Sequence, residues 1–273
     1  MAERLNRLNG KAWLKSTKSV WMNGVPRASI ANVRDALASG VLLSEAPPRD
    51  DLKKQHPATF SEKDVVRLIR FFTKPNEIVL DPFMGTGSTG IACLESGRRF
   101  IGIELYEQWL RIAKRRIGQR RRALGTRSEF KLIKGDALRE AQQLESASVH
   151  FIVTSPPYWS ILSKLDHKAR RERLAHALPT NYGRSKHDLA KAKDYAEFLA
   201  VLGTHFAEYY RLLKPKKYAA LIVSDFRHKQ KYFLFHARVA EGLERAGFVV
   251  QGLSNLVQDN KRLYPYGYPT TYV

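Results

Sequence analysis

Cysteine and long apolar runs are what this sequence lacks most clearly. The 273 residues contain one cysteine, which excludes an internal disulfide and a cysteine-rich metal site. No window approaches the ~18 consecutive apolar residues of a membrane span, and the N-terminus has no apolar core of a signal peptide. We therefore expect a cytoplasmic protein that has no membrane partner.

Acidic residues are scarce relative to basic ones. There are 26 aspartates and glutamates against 47 lysines and arginines, so the formal net charge is +21. Cationic side chains that neutralise phosphates release counterions, so this excess favours a nucleic-acid partner; a merely basic, soluble surface is the alternative. The hydrophobic share of 44% is ample for a core, and the length suits one sizeable domain with a small appendage.

A glycine-rich turn stands between a predicted strand and a predicted helix. The apolar run at 78–80 predicts a buried strand, and residues 89–94 predict the first turns of a helix. The stretch that joins them is Asp81-Pro82-Phe83-Met84-Gly85-Thr86-Gly87-Ser88-Thr89. Glycines let a backbone approach a ligand closely, and a helix N-terminus offers unpaired N–H groups. The pattern is typical of a nucleotide-type ligand site, with an ordinary turn as the alternative.

A second motif follows another predicted strand. The apolar run at 149–153 ends in Thr154-Ser155-Pro156-Pro157-Tyr158-Trp159. Two prolines exclude a continuing helix or a paired central strand, so the backbone should be stiff and extended here. Ligands of open α/β sheets bind outside the carboxyl ends of the strands. Both motifs are therefore expected in one crevice.

Together the two motifs resemble those of the S-adenosylmethionine-dependent amino-methyltransferases of DNA. Residues 81–87 resemble the first motif of that family, and Ser155-Pro156-Pro157-Tyr158 resembles its catalytic motif. The resemblance runs from about residue 55 to the C-terminus. It implies an α/β fold with a Rossmann-like class I methyltransferase sheet and flanking helices, in which residues 270–273 supply at most the beginning of the seventh strand.

The same resemblance predicts how the chain is divided. An N-terminal basic segment (1–54) precedes a methyltransferase domain (55–273), and a basic insert (160–193) interrupts its alternation of strands and helices. Residues 218–223 predict the fifth strand, and residues 248–257 predict the sixth.

The resemblance also implies a set of residues that bind S-adenosylmethionine. An acid about 20 residues past the glycine loop is placed to bind ribose hydroxyls, which selects Glu104. Asp136 lies where the family accepts a hydrogen bond from the adenine amino group, and residues 55–60 resemble the segment that contacts the methionine end. The full set is Pro57, Thr59, Asp81, Phe83, Met84, Gly85, Thr86, Gly87, Ser88, Thr89, Glu104, Leu105 and Asp136.

The basic insert is the expected contact with duplex DNA. Long polar loops in compact domains are usually functional or disordered, and this one comes directly after the Pro156-Pro157 corner. The residues predicted to bind DNA are Lys164, Lys168, Arg170, Arg171, Arg173, Arg184 and Lys186. The insert also holds three histidines, but their spacing does not indicate a metal site. A second basic run, between 105 and 124, predicts a helix on the flank of the sheet, for which solvation and DNA contact are equally good interpretations.

The motif at 155–158 suits methylation of an exocyclic base nitrogen. The Ser155 Oγ and the Pro156 carbonyl can accept both amino protons, the prolines hold these acceptors rigid, and Tyr158 can stack on a flipped base. The predicted catalytic residues are therefore Ser155, Pro156, Pro157 and Tyr158.

The target atom and the class of function have alternatives. In the family, serine at the first motif position leans towards N4 of cytosine, so we expect N4-cytosine methylation, with N6-adenine as the alternative. Carbon-5 methylation is disfavoured, because it needs a cysteine nucleophile after a proline and Cys93 is expected in the core. An RNA or protein methyltransferase and a non-catalytic nucleic-acid-binding protein are the other classes. The enzyme could act alone or in restriction–modification with a cognate endonuclease.

Overall fold

The computed structural model describes residues 40–45, 50–56, 60–159, 183, 185, 187–228 and 231–257. In chain order its elements are β1 (Val41–Leu43), α1 (Asp51–Lys54), α2 (Glu62–Phe72), β2 (Ile78–Asp81), α3 (Ser88–Ser96), β3 (Arg99–Glu104), α4 (Glu107–Leu124), β4 (Phe130–Lys134), α5 (Ala137–Gln142), β5 (Val149–Thr154), the 3-10 helix η1 (Leu189–Lys191), α6 (Tyr195–Leu212), β6 (Leu213–Leu221), β7 (Phe226–His228), β8 (Lys231–Phe233), α7 (Phe235–Arg245) and β9 (Asn255–Val257).

The described residues fall into two compact units. One contains residues 40–45 and 252–257, in which β1 and β9 pair in parallel. The other contains the described residues from 50 to 251 and holds all the remaining elements. The boundary predicted at residue 54 stays a prediction.

A five-stranded sheet forms the centre of the larger unit. Its order is β4-β3-β2-β5-β6, and every neighbouring pair is parallel. The order reverses direction between β2 and β5, which is the place where doubly wound sheets leave a crevice. The expected Rossmann-like α/β sheet is confirmed.

Helices cover both faces of this sheet. Helices α2, α3 and α4 pack on one face, where Val65, Ile69 and Ile117 are buried. Helices α5, α6 and α7 pack on the other face, where Phe198 and Phe206 are buried. Near-continuous apolar strands are what such two-sided burial requires. None of the helices in the described ranges is long and apolar enough to cross a membrane.

The glycines at the start of α3 allow close packing of two helices. Gly87 caps α3 with a φ of 81°, a conformation that favours glycine. A Cβ atom at Gly87 would lie 3.1 Å from the Cβ of Ala113, and one at Gly90 would lie 2.6 Å from the Cδ1 of Ile117. These two glycines therefore let α4 approach α3 closely.

The strands after β5 differ from the sequence expectation. Strand β6 begins at Leu213, earlier than the predicted residue 218, and its register shifts beside β5. The predicted sixth strand at 248–257 is wrong over most of its length, since only Asn255–Val257 is a strand and it pairs with β1. Val249 is 75% exposed, and apolar residues form a strand only where a partner covers them. The hairpin of β7 and β8 was not predicted.

Candidate active site

The described part of the predicted site lies at one edge of the sheet. The glycine loop follows β2. Glu104 is the last residue of β3, and Leu105 comes directly after it. Asp136 follows β4, and the motif that begins at Ser155 follows β5. These are four neighbouring strands in the order β4-β3-β2-β5. The structure thus brings the two motifs to the same edge, at the point where the strand order reverses.

Asp81 connects the two motifs directly. Its side chain is fully buried, and its Oδ2 accepts a hydrogen bond of 2.5 Å from the Thr89 hydroxyl in α3. Its Oδ1 accepts hydrogen bonds from the Thr154 hydroxyl at 2.7 Å and from the Phe83 N–H at 3.1 Å. Burial raises the pKa of Asp81 to about 6, although these three hydrogen bonds lower it. Thr154 directly precedes Ser155, so one carboxyl group connects the glycine loop to the predicted catalytic motif at 155–158.

Glu104 holds the glycine loop from the neighbouring strand. The side chain is 7% exposed, and its two oxygens accept hydrogen bonds of 2.8 Å from the N–H groups of Gly85 and Tyr106. Burial raises its pKa to about 7; both hydrogen bonds oppose this shift, and the negative charges of Asp81 and Asp188 add to it. The carboxyl group therefore changes its charge near neutral pH.

The glycine loop has polar groups that suit an adenosyl ligand. Thr86 Oγ1 is buried, and no group in the described part of the chain forms a hydrogen bond with it. Gly85 has a φ of 54°, and a Cβ atom placed on it would lie 3.3 Å from His56 Nε2. The His56 ring is held edge-on to Trp109, with ring centroids 4.7 Å apart. A buried hydroxyl that has no partner among the described residues, in the loop whose Gly85 N–H binds the Glu104 carboxyl group, fits a ligand that has hydroxyl and amino groups.

Several side chains of the glycine loop make contacts within the protein. Met84 is 3% exposed, and its sulfur lies 2.3 Å from where a Cβ at Gly102 would be. The Ser88 hydroxyl donates to Glu62 Oε1 at 2.9 Å. The Phe83 ring packs near His205, with centroids 5.8 Å apart. The side chains of Met84 and Ser88, both predicted to bind the cofactor, are therefore engaged within the protein.

Asp136, the predicted adenine contact, also caps a helix. It precedes α5, and its Oδ1 accepts hydrogen bonds from the N–H groups of Leu138 and Arg139 at 3.1 and 3.0 Å. The carboxylate has a second oxygen that these two bonds do not use. Asp136 and Leu105 are both half-buried.

The predicted catalytic motif is partly buried. Ser155, Pro157 and Tyr158 are half-buried and Pro156 is buried. The Tyr158 ring packs on Phe235 with centroids 5.7 Å apart, and its hydroxyl lies 3.4 Å from Ser224 Oγ. Aromatic neighbours fix the orientation of Tyr158, while its partial exposure leaves ring surface for a ligand.

Some residues at this site were missed by the sequence reasoning. Thr154 directly precedes the catalytic motif and is the partner of Asp81. Tyr106 donates a hydrogen bond of 2.7 Å to Asp188 and joins the end of β3 to η1. Arg116 contacts the loop at Thr86. In the sequence, only its position on the predicted helix distinguishes it from the neighbouring arginines.

Other predictions concern residues outside the described ranges. Among the predicted cofactor contacts these are Pro57 and Thr59, and among the predicted DNA contacts they are Lys164, Lys168, Arg170, Arg171, Arg173, Arg184 and Lys186. Within the described ranges, no group of three or more His, Cys, Asp or Glu side chains is arranged to hold a metal ion. Cys93 is buried in the core, as predicted.

Comparison with known proteins identifies the family. The model of a DNA methylase family, of the N6/N4 methyltransferase type, matches residues 3–115 and 149–264, more than half of the chain. Type II methyltransferase M2.LlaDCHI of Lactococcus lactis subsp. cremoris is 42% identical over 65 residues, which are 24% of this chain and 24% of that protein. DNA adenine methyltransferase YhdJ of Escherichia coli is 39% identical over 67 residues, which are 24% of this chain and 23% of that protein.

These two matches therefore span about a quarter of each relative. Among solved structures, a TehB-like SAM-dependent methyltransferase from Corynebacterium glutamicum aligns with a TM-score of 0.41 and 17% identity, over 72% of this chain and 82% of that one. The expected family is thus confirmed by the family model: this chain belongs to the N6/N4 DNA methylase family.

Proposed function

We propose that this protein transfers a methyl group from S-adenosylmethionine to the exocyclic N4 of cytosine in duplex DNA. The observation that carries the proposal is the double contact of Asp81. Its carboxyl group accepts hydrogen bonds from Thr89, beside the glycine loop, and from Thr154, beside Ser155. A loop suited to the cofactor and a corner suited to an amino group are thereby held next to each other, as methyl transfer between them requires.

The residues that would hold the cofactor lie at the ends of β2, β3 and β4. Glu104 would accept hydrogen bonds from the ribose hydroxyls, and the Asp136 oxygen that the helix cap does not use would accept one from the adenine amino group. The backbone of Gly85 and the Thr86 hydroxyl would contact the ligand from the loop. In this arrangement S-adenosylmethionine supplies a methyl group on a sulfonium, which needs no further activation.

The catalytic corner prepares the amino nitrogen for attack. Its lone pair is delocalised into the base, so the nitrogen must become pyramidal before it can bond to the methyl carbon. Ser155 Oγ and the Pro156 carbonyl accept the two amino protons and favour that geometry, while Tyr158 stacks on the base. The sulfonium would supply the methyl group and keep the electron pair of the broken bond on sulfur, and the methylated nitrogen would release one proton to water.

Duplex DNA is the substrate that fits the charge of the chain. A net charge of +21 favours a polyanion, and the target base must leave the stack to reach a corner of this kind. The basic insert at 160–193 binds the DNA strand on both sides of the flipped base. Association with a cognate restriction endonuclease stays a prediction.

N6-adenine methylation is the second candidate. One relative that shares 39% identity over 67 residues is named a DNA adenine methyltransferase. Serine at the first motif position favours cytosine in the family, which is why we place N4-cytosine first.

A single labelling experiment tests both the class and the base. The protein is incubated with tritium-labelled S-adenosylmethionine and mixed-sequence duplex DNA, and the digested nucleosides are analysed by mass spectrometry. Labelled N4-methyl-2′-deoxycytidine supports the proposal, whereas N6-methyl-2′-deoxyadenosine keeps the class and replaces the base. Cofactor binding without label in DNA, together with label in RNA or protein, would refute the DNA assignment; Ser155→Ala is the matched control for contaminating methylases.

A further inference from the structure

Arg116 is a buried arginine in the middle of a basic helix. Helix α4 carries exposed cations on most of its length, but the Arg116 side chain is 5% exposed. Ala113 and Trp109, about one and two turns earlier, are buried on the same face of α4, and this face packs against α3. A buried guanidinium needs several partners to offset its lost hydration, so its contacts are informative.

The guanidinium of Arg116 joins the glycine loop to the segments before it. Its Nη1 donates to the Thr86 carbonyl at 2.7 Å. Its Nη2 donates to Glu62 Oε1 at 2.6 Å and to Asp50 Oδ2 at 3.0 Å, and its Nε donates to Asp50 Oδ2 at 3.2 Å. Asp50 caps α1, and Glu62 is the first residue of α2.

Glu62 extends this cluster to α3 and back to α1. Its Oε1 accepts a hydrogen bond of 2.9 Å from the Ser88 hydroxyl at the first position of α3. Its Oε2 forms an ion pair with Lys53 in α1. Burial raises the pKa of Glu62, but the charge and hydrogen bonds of Lys53 and Arg116 outweigh it, so the pKa is lowered overall. The glutamate is therefore ionised at neutral pH, and its charge is matched by two cations.

The Thr86–Gly87 peptide group is consequently fixed on both sides. Its carbonyl accepts from Arg116, and its N–H donates to the Met84 carbonyl at 3.0 Å. Thr86 also carries the buried hydroxyl that has no partner within the described residues. His56, which lies between Lys53 and Glu62 in the chain, borders Gly85. One guanidinium thus holds the Thr86 carbonyl of the glycine loop and, through Asp50 and Glu62, the two ends of the segment that contains His56.

We propose that Arg116 is a positioning residue for S-adenosylmethionine, which holds the Thr86 peptide in the orientation that the cofactor requires. The inference rests on the cofactor site proposed above. Arg116 does not contact the reacting atoms, so its loss should weaken cofactor binding and leave the methyl-transfer step at saturation nearly unchanged. The geometry also removes this arginine from the set that could contact DNA.

Cofactor affinity measured by calorimetry tests the proposal. We expect Arg116→Met to raise the Kd for S-adenosylmethionine about 10- to 100-fold, and Arg116→Lys to restore part of that loss. The value of kcat at saturating cofactor should stay within about threefold. Arg120→Met is the control on the same helix, because Arg120 pairs at the surface with Glu95 at 2.7 Å, and its Kd should be unchanged. Methylguanidinium added to Arg116→Ala should tighten binding, an effect that a general loss of stability does not produce.

Two further variants distinguish a general loss of stability, an error in the proposed cofactor site and an error in the positioning role of Arg116. Val239→Ala, in the core on the other face of the sheet, shows what lower stability alone does to the Kd. Gly85→Val tests the cofactor site itself: if it binds as the wild type does, the proposed site is wrong. If Gly85→Val loses binding while folded Arg116→Met keeps the wild-type Kd, the positioning role alone is refuted. Should Arg116→Met fail to fold, an unchanged Kd in Arg116→Lys refutes it instead.

Discussion

Raising the pH from 6 to 8 should tighten the binding of S-adenosylmethionine about tenfold through the ionisation of Glu104. Burial raises the pKa of this carboxyl group to about 7. A group with that pKa is roughly 10% ionised at pH 6 and roughly 90% ionised at pH 8. The ionised carboxylate is the better acceptor for ribose hydroxyls, so the ratio of ionised fractions sets the expected change, which corresponds to about 1.4 kcal/mol.

Isothermal titration calorimetry in buffers of different ionisation enthalpy measures this effect. At pH 6 the binding of the cofactor should release up to about one proton per site, because it selects the ionised form of Glu104. Titration of the ligand's own amino and carboxyl groups would add to the signal. Glu104→Gln is the control, since it keeps the shape of the side chain and removes only the protein's proton.

A matching pH dependence in wild type and Glu104→Gln would refute the reasoning. So would weaker wild-type binding at pH 8 than at pH 6. A tenfold dependence in the wild type that is absent in the variant would support both the raised pKa and the assignment of Glu104 to the ligand.

Three further predictions concern the loop, the corner and the buried Asp81. Gly85→Val should weaken cofactor binding at least about 100-fold, because valine is strained at a φ of 54° and its side chain meets the His56 ring; Gly125→Val, at a φ of 60° with no atom within 4 Å, controls for strain alone, and loss of binding there would contradict the reasoning. Ser155→Ala should lower turnover roughly 100-fold in single-turnover assays with a Kd for the cofactor within about threefold; a large loss of affinity would argue against its catalytic role. The raised pKa of Asp81 stabilises the fold while the group is protonated, so that contribution is complete below pH ~4 and is lost as the pH rises through about 6. Urea titrations should therefore show the free energy of unfolding of Asp81→Asn rising relative to that of the wild type by about 2.4 kcal/mol between pH 4 and 7, and parallel curves would exclude the shift.

The strands and the strand-end motifs were predictable from local pattern. Apolar runs bounded by turns predicted β2 and β5, and the spacing of an acid after the glycine loop predicted Glu104 at the end of β3. Parallel strands then place their carboxyl ends at one edge, whatever the rest of the fold. Local periodicity was sufficient for these elements because both faces of each strand are buried.

Arg116 and Asn255 show why the rest could not be predicted. Arg116 lies seven residues after Trp109 and three after Ala113, so helical spacing places it on the buried face, but the run of arginines conceals this position. The partner of Asn255 lies far away in the chain, and nothing in the short β9 sequence identifies it. The prediction of N4 over N6 rests on the serine at the first motif position alone, and the family match covers both target atoms.

The pairing of β1 with β9 has a consequence for the order in which the chain folds. The Asn255 side chain donates a hydrogen bond to the Gly40 carbonyl across 215 positions of sequence, so the loop that this contact closes contains the entire five-stranded sheet. Contacts of such long range form late, because the entropy of closing the loop must first be overcome. During synthesis β1 leaves the ribosome long before its partner exists, and until then it presents an unpaired strand edge. The small unit should therefore be the last part to form and the first to open on heating, a sequence of events that hydrogen exchange at residues 41–43 would record.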